Sequence, residues 1–333
     1  MAEIKIVVTG GRRINRRYID RLSTNLYELT IFDEISPDPE RLESAVRNAD
    51  GYLLGGDEFV TREIIARSTR LKLIACLAIG AEHLIDVSAA IEMGVKVTNT
   101  PGMQAMRSAM SELAIAHILS LRRQITYLNN NQKSGRIIQE FAPQLSNSTV
   151  GIIGMGNAGK RLARTLSSGF GAVVVYNSRR RHMEIEQELN IRYVDIDVLV
   201  SNCDVIVLMC ELNQSTMAMI DGDKLNRMKS DAILINTAHA ALVDGPALYD
   251  ALRNGQIAGA SIDDFNWDVA PILKDGRGIN LPREILELPD NRFLTTPYVG
   301  CLTPDSWSEM ADSATKSLMY HFEGGGEPSY YKI

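Results

Sequence analysis

A glycine-rich turn lies between an apolar run and a helix-period pattern near the middle of the chain. Gly154, Gly156 and Gly159 form Gly-x-Gly-x-x-Gly directly after the apolar residues 149–153. The first glycine permits a tight turn, the second lets the backbone approach a pyrophosphate, and the third allows close packing of helix on strand. The helix start then offers N–H groups and a partial positive charge to phosphates. The residues predicted to bind a dinucleotide here are Gly154, Gly156, Asn157, Ala158 and Gly159.

The alternative for this segment is a plain structural turn, because glycine turns are common. A second apolar strand, at 172–176, follows after a helical pattern at the distance that a β-α-β unit requires. This context favours the nucleotide-binding interpretation.

Apolar runs of strand length alternate with helix-period segments along the chain, which is typical of parallel sheets with helices on their faces. The strands predicted in the N-terminal part are 4–9, 51–54, 73–78 and 95–98, with helices at 39–48 and 61–67 between them. The strands predicted further on are 149–153, 172–176, 192–194, 204–209, 232–235, 258–262 and 293–295. The predicted class is α/β, with a flavodoxin-like domain and a Rossmann domain, each built on a doubly wound parallel sheet.

Two longer helices are predicted outside these β-α units. One covers residues 108–128, with Glu112 in its first turn. The other begins at Thr303, Pro304 and Asp305, which have the order of an N-cap, a first-turn proline and a first-turn acid. We expect this last helix, which ends near residue 322, to pack back on the N-terminal domain.

Composition limits the classes of partner. The 333 residues suffice for two domains, and their formal net charge of −6 gives no field that would attract nucleic acid or an anionic membrane. The longest apolar stretch, at 73–81, is too short to cross a bilayer, and the first residues lack the pattern of a signal peptide. The four cysteines form no C-x-x-C pair, so no metal site is predicted. Reduced cysteines make the cytoplasm the expected compartment.

The end of the second Rossmann strand predicts which nicotinamide nucleotide binds. An NAD enzyme usually carries a carboxylate there, which binds the ribose 2′-OH, but this chain reads Asn177, Ser178, Arg179, Arg180. Arginines suit a 2′-phosphate. We therefore expect NADP(H) to be preferred, with NAD(H) as the second candidate. The alternative is a solvated basic loop without a ligand.

Several further segments resemble the D-2-hydroxyacid dehydrogenases. They read INTAHAALVD at 235–244, GASIDDF at 259–265 and LTTPYVG at 294–300, and earlier IGAEH at 79–83 and SELA at 111–114. The resemblance covers about residues 40 to 320.

The resemblance implies a discontinuous substrate domain, at 1–104 and 298–333, and a coenzyme domain at 105–297, with a cleft between them. It implies a homodimer, and hydride transfer between nicotinamide C4 and C2 of a 2-oxo or 2-hydroxy acid. The residues that it places against the substrate are Gly80, Ala81 and Glu82. Those that it adds to the cofactor site are Thr237, Ala238 and Asp263.

The chain departs from the family at the three positions that normally carry the chemistry. His239, Asp268 and Tyr298 stand where the resemblance implies an arginine, a glutamate and a histidine. A histidine lacks the fixed fork that holds a carboxylate, so an ordinary 2-oxo acid should bind poorly unless another cation, such as Lys274 or Arg277, reaches the site. Tyr298 and His239 can still donate a proton, with Asp268 in support.

These substitutions leave three interpretations open. The first is an NADP(H)-linked oxidoreductase with a rearranged acid–base set, acting on a 2-oxo acid or another small carbonyl compound. The second is a non-catalytic nucleotide-binding regulator or scaffold of the same fold. The third is ordinary 2-oxo acid reduction, restored by a repositioned cation.

Overall fold

The computed structural model describes residues 4–35, 37–101, 103–264, 282–328 and 330–331, with the side chain of His83 excepted. These residues form two compact units. The first contains the described residues up to Ala105 and those from Thr303 onward, and the second contains the described residues between them.

The strands are short and mostly buried. In chain order they are β1 (Ile4–Val8), β2 (Tyr27–Ile31), β3 (Gly51–Leu54), β4 (Leu73–Cys76), β5 (Lys96–Thr98), β6 (Thr149–Ile153), β7 (Val173–Asn177), β8 (Arg192–Tyr193), β9 (Val205–Leu208), β10 (Ile233–Asn236), β11 (Gly259–Ile262) and β12 (Phe293–Thr295).

The first unit is built on a parallel sheet in the order β2-β1-β3-β4-β5, with Ile6 opposite Gly51 in the register. This is the flavodoxin-like order, in which the strand sequence reverses beside β1. Strand β2 was missed by the sequence analysis. It is an edge strand in which Glu28 and Thr30 point away from the core, so its pattern is only half apolar.

The second unit is built on a parallel sheet in the order β12-β11-β10-β9-β6-β7-β8. In its central strands, the side chains of successive residues pack into different buried clusters. Ile153 and Leu208 belong to one buried cluster, whereas Ile152 and Val207 belong to the other. Both faces of this sheet are therefore covered, as expected for a doubly wound fold. The predicted α/β class with parallel sheets is confirmed.

Helices connect the parallel strands. In chain order they are α1 (Arg16–Ile19), α2 (Pro39–Arg47), α3 (Arg62–Arg67), α4 (Val87–Glu92), α5 (Gln104–Arg122), α6 (Ile125–Lys133), α7 (Asn157–Arg164), α8 (Met183–Leu189), α9 (Ile196–Asn202), α10 (Gly222–Arg227), α11 (Gly245–Arg253), α12 (Arg283–Leu286) and α13 (Pro304–Glu323).

The helix predicted at 108–128 is wrong in its extent. Helix α5 begins four residues earlier, so Glu112 lies in its interior rather than in its first turn. Helix α5 ends at Arg122, because Gln124 adopts a left-handed conformation with φ 52° and α6 starts anew at Ile125. No glycine or proline marks this break, which explains why the apolar pattern was read as one helix.

The predicted start of the last helix is confirmed. The hydroxyl of Thr303 accepts a hydrogen bond from the N–H of Ser306 at 3.2 Å, and Pro304 is the first helical residue. Helix α13 belongs to the first unit, where Leu318 and Phe322 pack so closely on Gly51 that a Cβ there would lie within 3.0 Å of both side chains.

None of the helices in the described part of the chain is both long enough and apolar enough to cross a membrane.

Candidate functional site

The glycine turn after β6 has a backbone that only glycine can adopt. Gly154 has φ 106°, and a Cβ there would lie 2.5 Å from the carbonyl group of Met209. At Gly159 a Cβ would lie 2.1 Å from the carbonyl oxygen of Gly154, so the helix packs directly on the turn. At Gly156, by contrast, no heavy atom of the described residues comes within 4 Å of a Cβ. The turn therefore leaves open space beside the start of α7, where Asn157 and Ala158 are the first helical residues.

This turn lies where the strand order of the second sheet reverses. Strand β6 has β7 on one side and β9 on the other, so the carboxyl ends of β6 and β9 flank a crevice of the kind that binds dinucleotides. Met209 and Cys210 follow β9 and form the wall against Gly154. Burial raises the pKa of the Cys210 thiol to about 11, so it is a neutral thiol at physiological pH. The open space, the helix start and the absence of a side chain at Gly156 fit a pyrophosphate.

The loop after β7 contains polar side chains that hydrogen-bond within the protein and two exposed arginines. The Asn177 amide donates to the carbonyl of Val194 at 2.9 Å, and the Ser178 hydroxyl donates to the carbonyl of Arg180 at 2.6 Å. Arg181 is held by two parallel hydrogen bonds to Glu186. Arg179 and Arg180 are exposed, and neither forms an ion pair within the described ranges. The two arginines follow β7, the strand next to β6 in the sheet, and their side chains are exposed.

Three neighbouring strands bring the predicted catalytic segments to one edge of the sheet. Thr237 to His239 follow β10, Asp263 and Asp264 follow β11, and Thr296 to Gly300 follow β12. Because β10, β11 and β12 are adjacent and parallel, these segments meet at the same edge.

Asp263 is the centre of this edge. Its carboxylate is buried, and it accepts three hydrogen bonds from the segment after β12. The Thr296 hydroxyl donates at 2.7 Å, the N–H of Val299 at 2.9 Å and the N–H of Gly300 at 2.7 Å. Its own N–H donates to the carbonyl of Asn236 at 2.8 Å, which ties it to β10. The predicted cofactor contact is thus also the residue that fixes the loop carrying Tyr298.

Tyr298 has a backbone conformation that a side chain disfavours. Its φ is 55°, in the left-handed region, which costs on the order of 1–3 kcal/mol for a residue with a Cβ. The residue is 43% exposed, so a small molecule can reach the ring. Surrounding protein atoms reduce the hydration of the hydroxyl, and they raise its pKa above the ordinary value, as do Cys301, Asp264 and Asp263. Tyr298 therefore keeps its proton at neutral pH and can donate it.

His239 accepts a backbone hydrogen bond, and a second aspartate lies beside it. Its Nδ1 accepts a hydrogen bond from the N–H of Ala241 at 3.1 Å, so the neutral ring carries its proton on Nε2. The same Nδ1 lies 3.6 Å from Oδ2 of Asp264, which also accepts the N–H of Ala240 at 2.9 Å. Asp263 thus fixes the loop that carries Tyr298, and Asp264 accepts a hydrogen bond from the residue after His239.

The remaining predicted residues lie in several parts of the molecule. Thr237 is buried, with its hydroxyl directed at the sulfur of Met209, and the N–H of Ala238 donates to the Asn236 side chain. Gly80, Ala81 and Glu82 belong to the first unit, at the turn after β4, where Glu82 accepts a hydrogen bond from the Tyr331 hydroxyl. The residues that lie outside the described part of the chain are Asp268, Lys274 and Arg277.

Two groups in the second unit were missed by the sequence analysis. Asp264 had no predicted role, although it accepts a hydrogen bond from the N–H of Ala240, the residue after His239. Arg107 is half-buried on α5, and its Nε has no hydrogen-bond acceptor among the described residues. One helical turn further, the Met110 sulfur packs so closely on Gly300 that a Cβ there would lie 2.5 Å from it. The contact between Met110 and Gly300 had no local signal, because it joins distant segments of the chain.

Within the described residues, no group of three or more His, Cys, Asp or Glu side chains could hold a metal ion.

Comparisons with known proteins agree with this geometry. Residues 115–300, more than half of the chain, match the family model for D-isomer specific 2-hydroxyacid dehydrogenase, NAD binding domain. The chain is 34% identical to a glyoxylate reductase of Aeropyrum pernix, over 92% of this chain and 90% of the relative. It is 31% identical to a glyoxylate reductase of Thermococcus litoralis, over 93% and 92%. A solved structure from Thermus thermophilus superposes with a TM-score of 0.82 at 28% identity, covering 99% of this chain and 100% of the other. The second unit is thus a nicotinamide-nucleotide-binding domain.

The open space at Gly156 generates a prediction for nucleotide binding. We expect Gly156→Ala to fold normally, because the added methyl group meets nothing in the protein, but to bind a nicotinamide nucleotide about tenfold or more weakly, because it intrudes on the phosphates. Gly169→Ala is the matched control, since its Cβ would contact only Thr165, at 3.9 Å. Fluorescence titration and thermal melting of both variants provide the test. Unchanged affinity in Gly156→Ala would mean that the phosphates bind elsewhere.

Proposed function

The chain belongs to the D-isomer specific 2-hydroxyacid dehydrogenase family, and from this we propose that it reduces a small 2-oxo acid, or a related small carbonyl compound, with NADP(H). The names of the relatives make glyoxylate the first substrate to test. The observation that carries the proposal is the exposed, protonated Tyr298, held in a strained conformation by Asp263 at the same sheet edge as His239. A homodimer is the proposed assembly.

Residues of the second unit would hold the nucleotide. The glycine turn and the start of α7 face the pyrophosphate, and Thr237, Ala238 and Asp263 are proposed for the nicotinamide end. When bound, the nucleotide supplies the hydride. The protein must then orient the acceptor and provide a proton.

Tyr298 and His239 are the proposed proton donors. Reduction of a carbonyl places negative charge on its oxygen, and a neutral O–H or N–H nearby stabilises that charge. The raised pKa of Tyr298 keeps its hydroxyl protonated, and the hydrogen bond accepted by Nδ1 of His239 leaves the proton on Nε2. Asp264 accepts the N–H of Ala240 from its buried position and so holds the backbone next to His239, and Asp268 remains proposed as a second support.

The substrate carboxylate needs a cation, since His239 occupies the usual arginine position. Arg107 is the described residue that suits this role best. It lies one turn from Met110 on the same face of α5, toward the Tyr298 loop, and its Nε lacks an acceptor among the described residues. A guanidinium matches a carboxylate with two parallel hydrogen bonds. Gly80, Ala81 and Glu82 remain proposed substrate contacts.

The loop after β7 supports a preference for NADP(H). Arg179 and Arg180 are exposed and unpaired within the described residues, Ser178 lies between them and Asn177, and no carboxylate stands at the end of the strand to repel a 2′-phosphate.

The first prediction of the proposal concerns this loop. We expect Arg179→Ala to weaken NADPH binding about tenfold or more and to leave NADH binding unchanged, because only the 2′-phosphate uses the lost charge-assisted hydrogen bonds. Arg181→Ala is the control, since Arg181 is already bound to Glu186 and should affect both nucleotides alike. Parallel fluorescence titrations measure both affinities. Equal affinities in the unmodified protein would contradict the NADP(H) assignment.

The second prediction of the proposal concerns the proton donors. Tyr298→Phe and His239→Ala should each lower kcat for glyoxylate by about 10²-fold, as expected for loss of a general acid, with nucleotide affinity preserved. The fall for Tyr298→Phe should persist through mildly alkaline pH, because the raised pKa keeps the hydroxyl protonated there. Steady-state kinetics over pH is the measurement. Full turnover in both variants would exclude this mechanism. Absence of turnover in the unmodified protein, with nucleotide binding retained, would favour a nucleotide-binding regulator or scaffold instead.

The third prediction of the proposal concerns the carboxylate of the substrate. Arg107→Gln should raise KM for glyoxylate about tenfold or more, with a smaller effect on a small uncharged aldehyde, because only the acid uses the guanidinium. Arg123→Gln, an exposed arginine just beyond α5, is the control. Equal effects on acid and aldehyde would show that Arg107 supports the loop and does not bind the carboxylate.

A further inference from the structure

A chain of hydrogen bonds leads from a buried histidine on helix α5 to Asp263. His117 lies on α5 and is 5% exposed. Its Nδ1 contacts the hydroxyl of Ser261 on β11, and its Nε2 lies 3.2 Å from the hydroxyl of Thr296. The Thr296 hydroxyl in turn reaches Oδ1 of Asp263 at 2.7 Å. These four side chains come from α5, β11, the end of β12 and the end of β11.

The direction of each hydrogen bond follows from the last member. An ionised carboxylate only accepts, so the single hydroxyl proton of Thr296 goes to Asp263. Thr296 must then accept from His117, which places the ring proton on Nε2. Nδ1 is left as an acceptor for the hydroxyl proton of Ser261. Each of these protons is thus assigned to one hydrogen bond, and this arrangement requires a neutral histidine.

The surroundings of His117 agree with that requirement. Burial lowers the pKa of the ring, and the nearby carboxylate of Asp263 opposes this only in part. Asp290 lines the same surface pocket of about 450 Å³ as His117 and Thr296. Burial therefore keeps the ring in its neutral form despite the carboxylate of Asp263.

The chain of bonds ends on the loop that carries Tyr298. Asp263 uses its remaining acceptor sites for the N–H groups of Val299 and Gly300, the two residues after Tyr298. A strained φ persists only where surrounding contacts over-determine it. If Asp263 rotates, the loop loses both backbone hydrogen bonds together with the Thr296 contact.

We propose that His117 is a positioning residue, which orients Thr296 and Asp263 and so holds Tyr298 in its left-handed conformation for the reaction. This inference rests on the proposed function for its kinetic consequence, but its structural consequence is independent of any substrate. The usual alternative for a buried histidine is a space-filling role, in which its hydrogen bonds do not matter.

Substitutions at both ends of the His117–Thr296 contact separate these roles. His117→Leu fills the space without polar atoms, whereas His117→Gln retains an N–H donor near the position of Nε2. Thr296→Val removes the hydroxyl at constant shape, and Thr296→Ser retains it. His321→Leu is the matched control, because His321 of the first unit is half-buried and contacts the Tyr330 hydroxyl at 3.0 Å.

The first readout is hydrogen exchange of the protein without substrate. We expect the segment 296–302 to exchange about tenfold faster in His117→Leu and Thr296→Val, since the amides of Val299 and Gly300 lose a fixed acceptor. His117→Gln, Thr296→Ser and His321→Leu should leave this segment protected. Unchanged exchange in both His117→Leu and Thr296→Val would overturn the proposal.

The second readout is kcat in a double-mutant cycle. His117→Leu and Thr296→Val should each lower kcat about tenfold, the cost of a misplaced reacting group. The double variant should be no worse than Thr296→Val alone, because His117 acts through Thr296. Multiplying effects would assign His117 a general packing role and overturn the proposal. If His117→Leu fails to fold, the Thr296 pair tests the same contact. If no 2-oxo acid is reduced, the exchange readout still decides the inference, and only the proposed function fails.

Discussion

The candidate site depends on one buried carboxylate. Asp263 follows β11 and receives hydrogen bonds from a hydroxyl and two backbone amides of the segment after β12. A buried carboxylate is stable only when such donors replace its water, and the donors here belong to the loop that carries Tyr298, the proposed proton donor. The same hydrogen bonds therefore stabilise the buried charge and fix the conformation of the loop. The parallel order of β10, β11 and β12 places them within reach.

The other half of the site depends on backbone geometry. The glycine turn after β6 is fixed by steric limits, since a side chain at Gly154 or Gly159 would collide with neighbouring backbone. Its function needs no particular side chain, only open space and a helix start. The proposed catalytic edge, in contrast, depends on the identity of side chains that follow three strands. Substitution is consequently limited in different ways: steric limits require glycine at two positions of the turn, whereas the other edge is limited by the chemistry of its polar side chains.

This difference explains what the sequence could predict. The turn, its strands and the basic loop after β7 are local patterns, and the fold class derived from them is confirmed by both sheets. The boundary of α5 was wrong because a left-handed Gln124 carries no compositional signal. The contact of Ala240 with Asp264 spans 24 residues and that of His117 with Thr296 spans 179, so periodicity and spacing could not detect either. The roles of His239 and Tyr298 were accessible only through the family resemblance, and they remain proposals.

The strain at Tyr298 bears on whether the altered site is a working one. A left-handed tyrosine costs free energy that glycine at the same position would not, so a loop without a function would be expected to relax. Here the conformation is retained by a buried aspartate, a threonine and a neutral histidine, none of which is needed for the nucleotide turn. Neutral donors at His239 and Tyr298 are also consistent with one another, since both can stabilise negative charge on a carbonyl oxygen without a fixed arginine beside them. The coherence of these contacts favours an acid–base set that has been rearranged over one that has decayed.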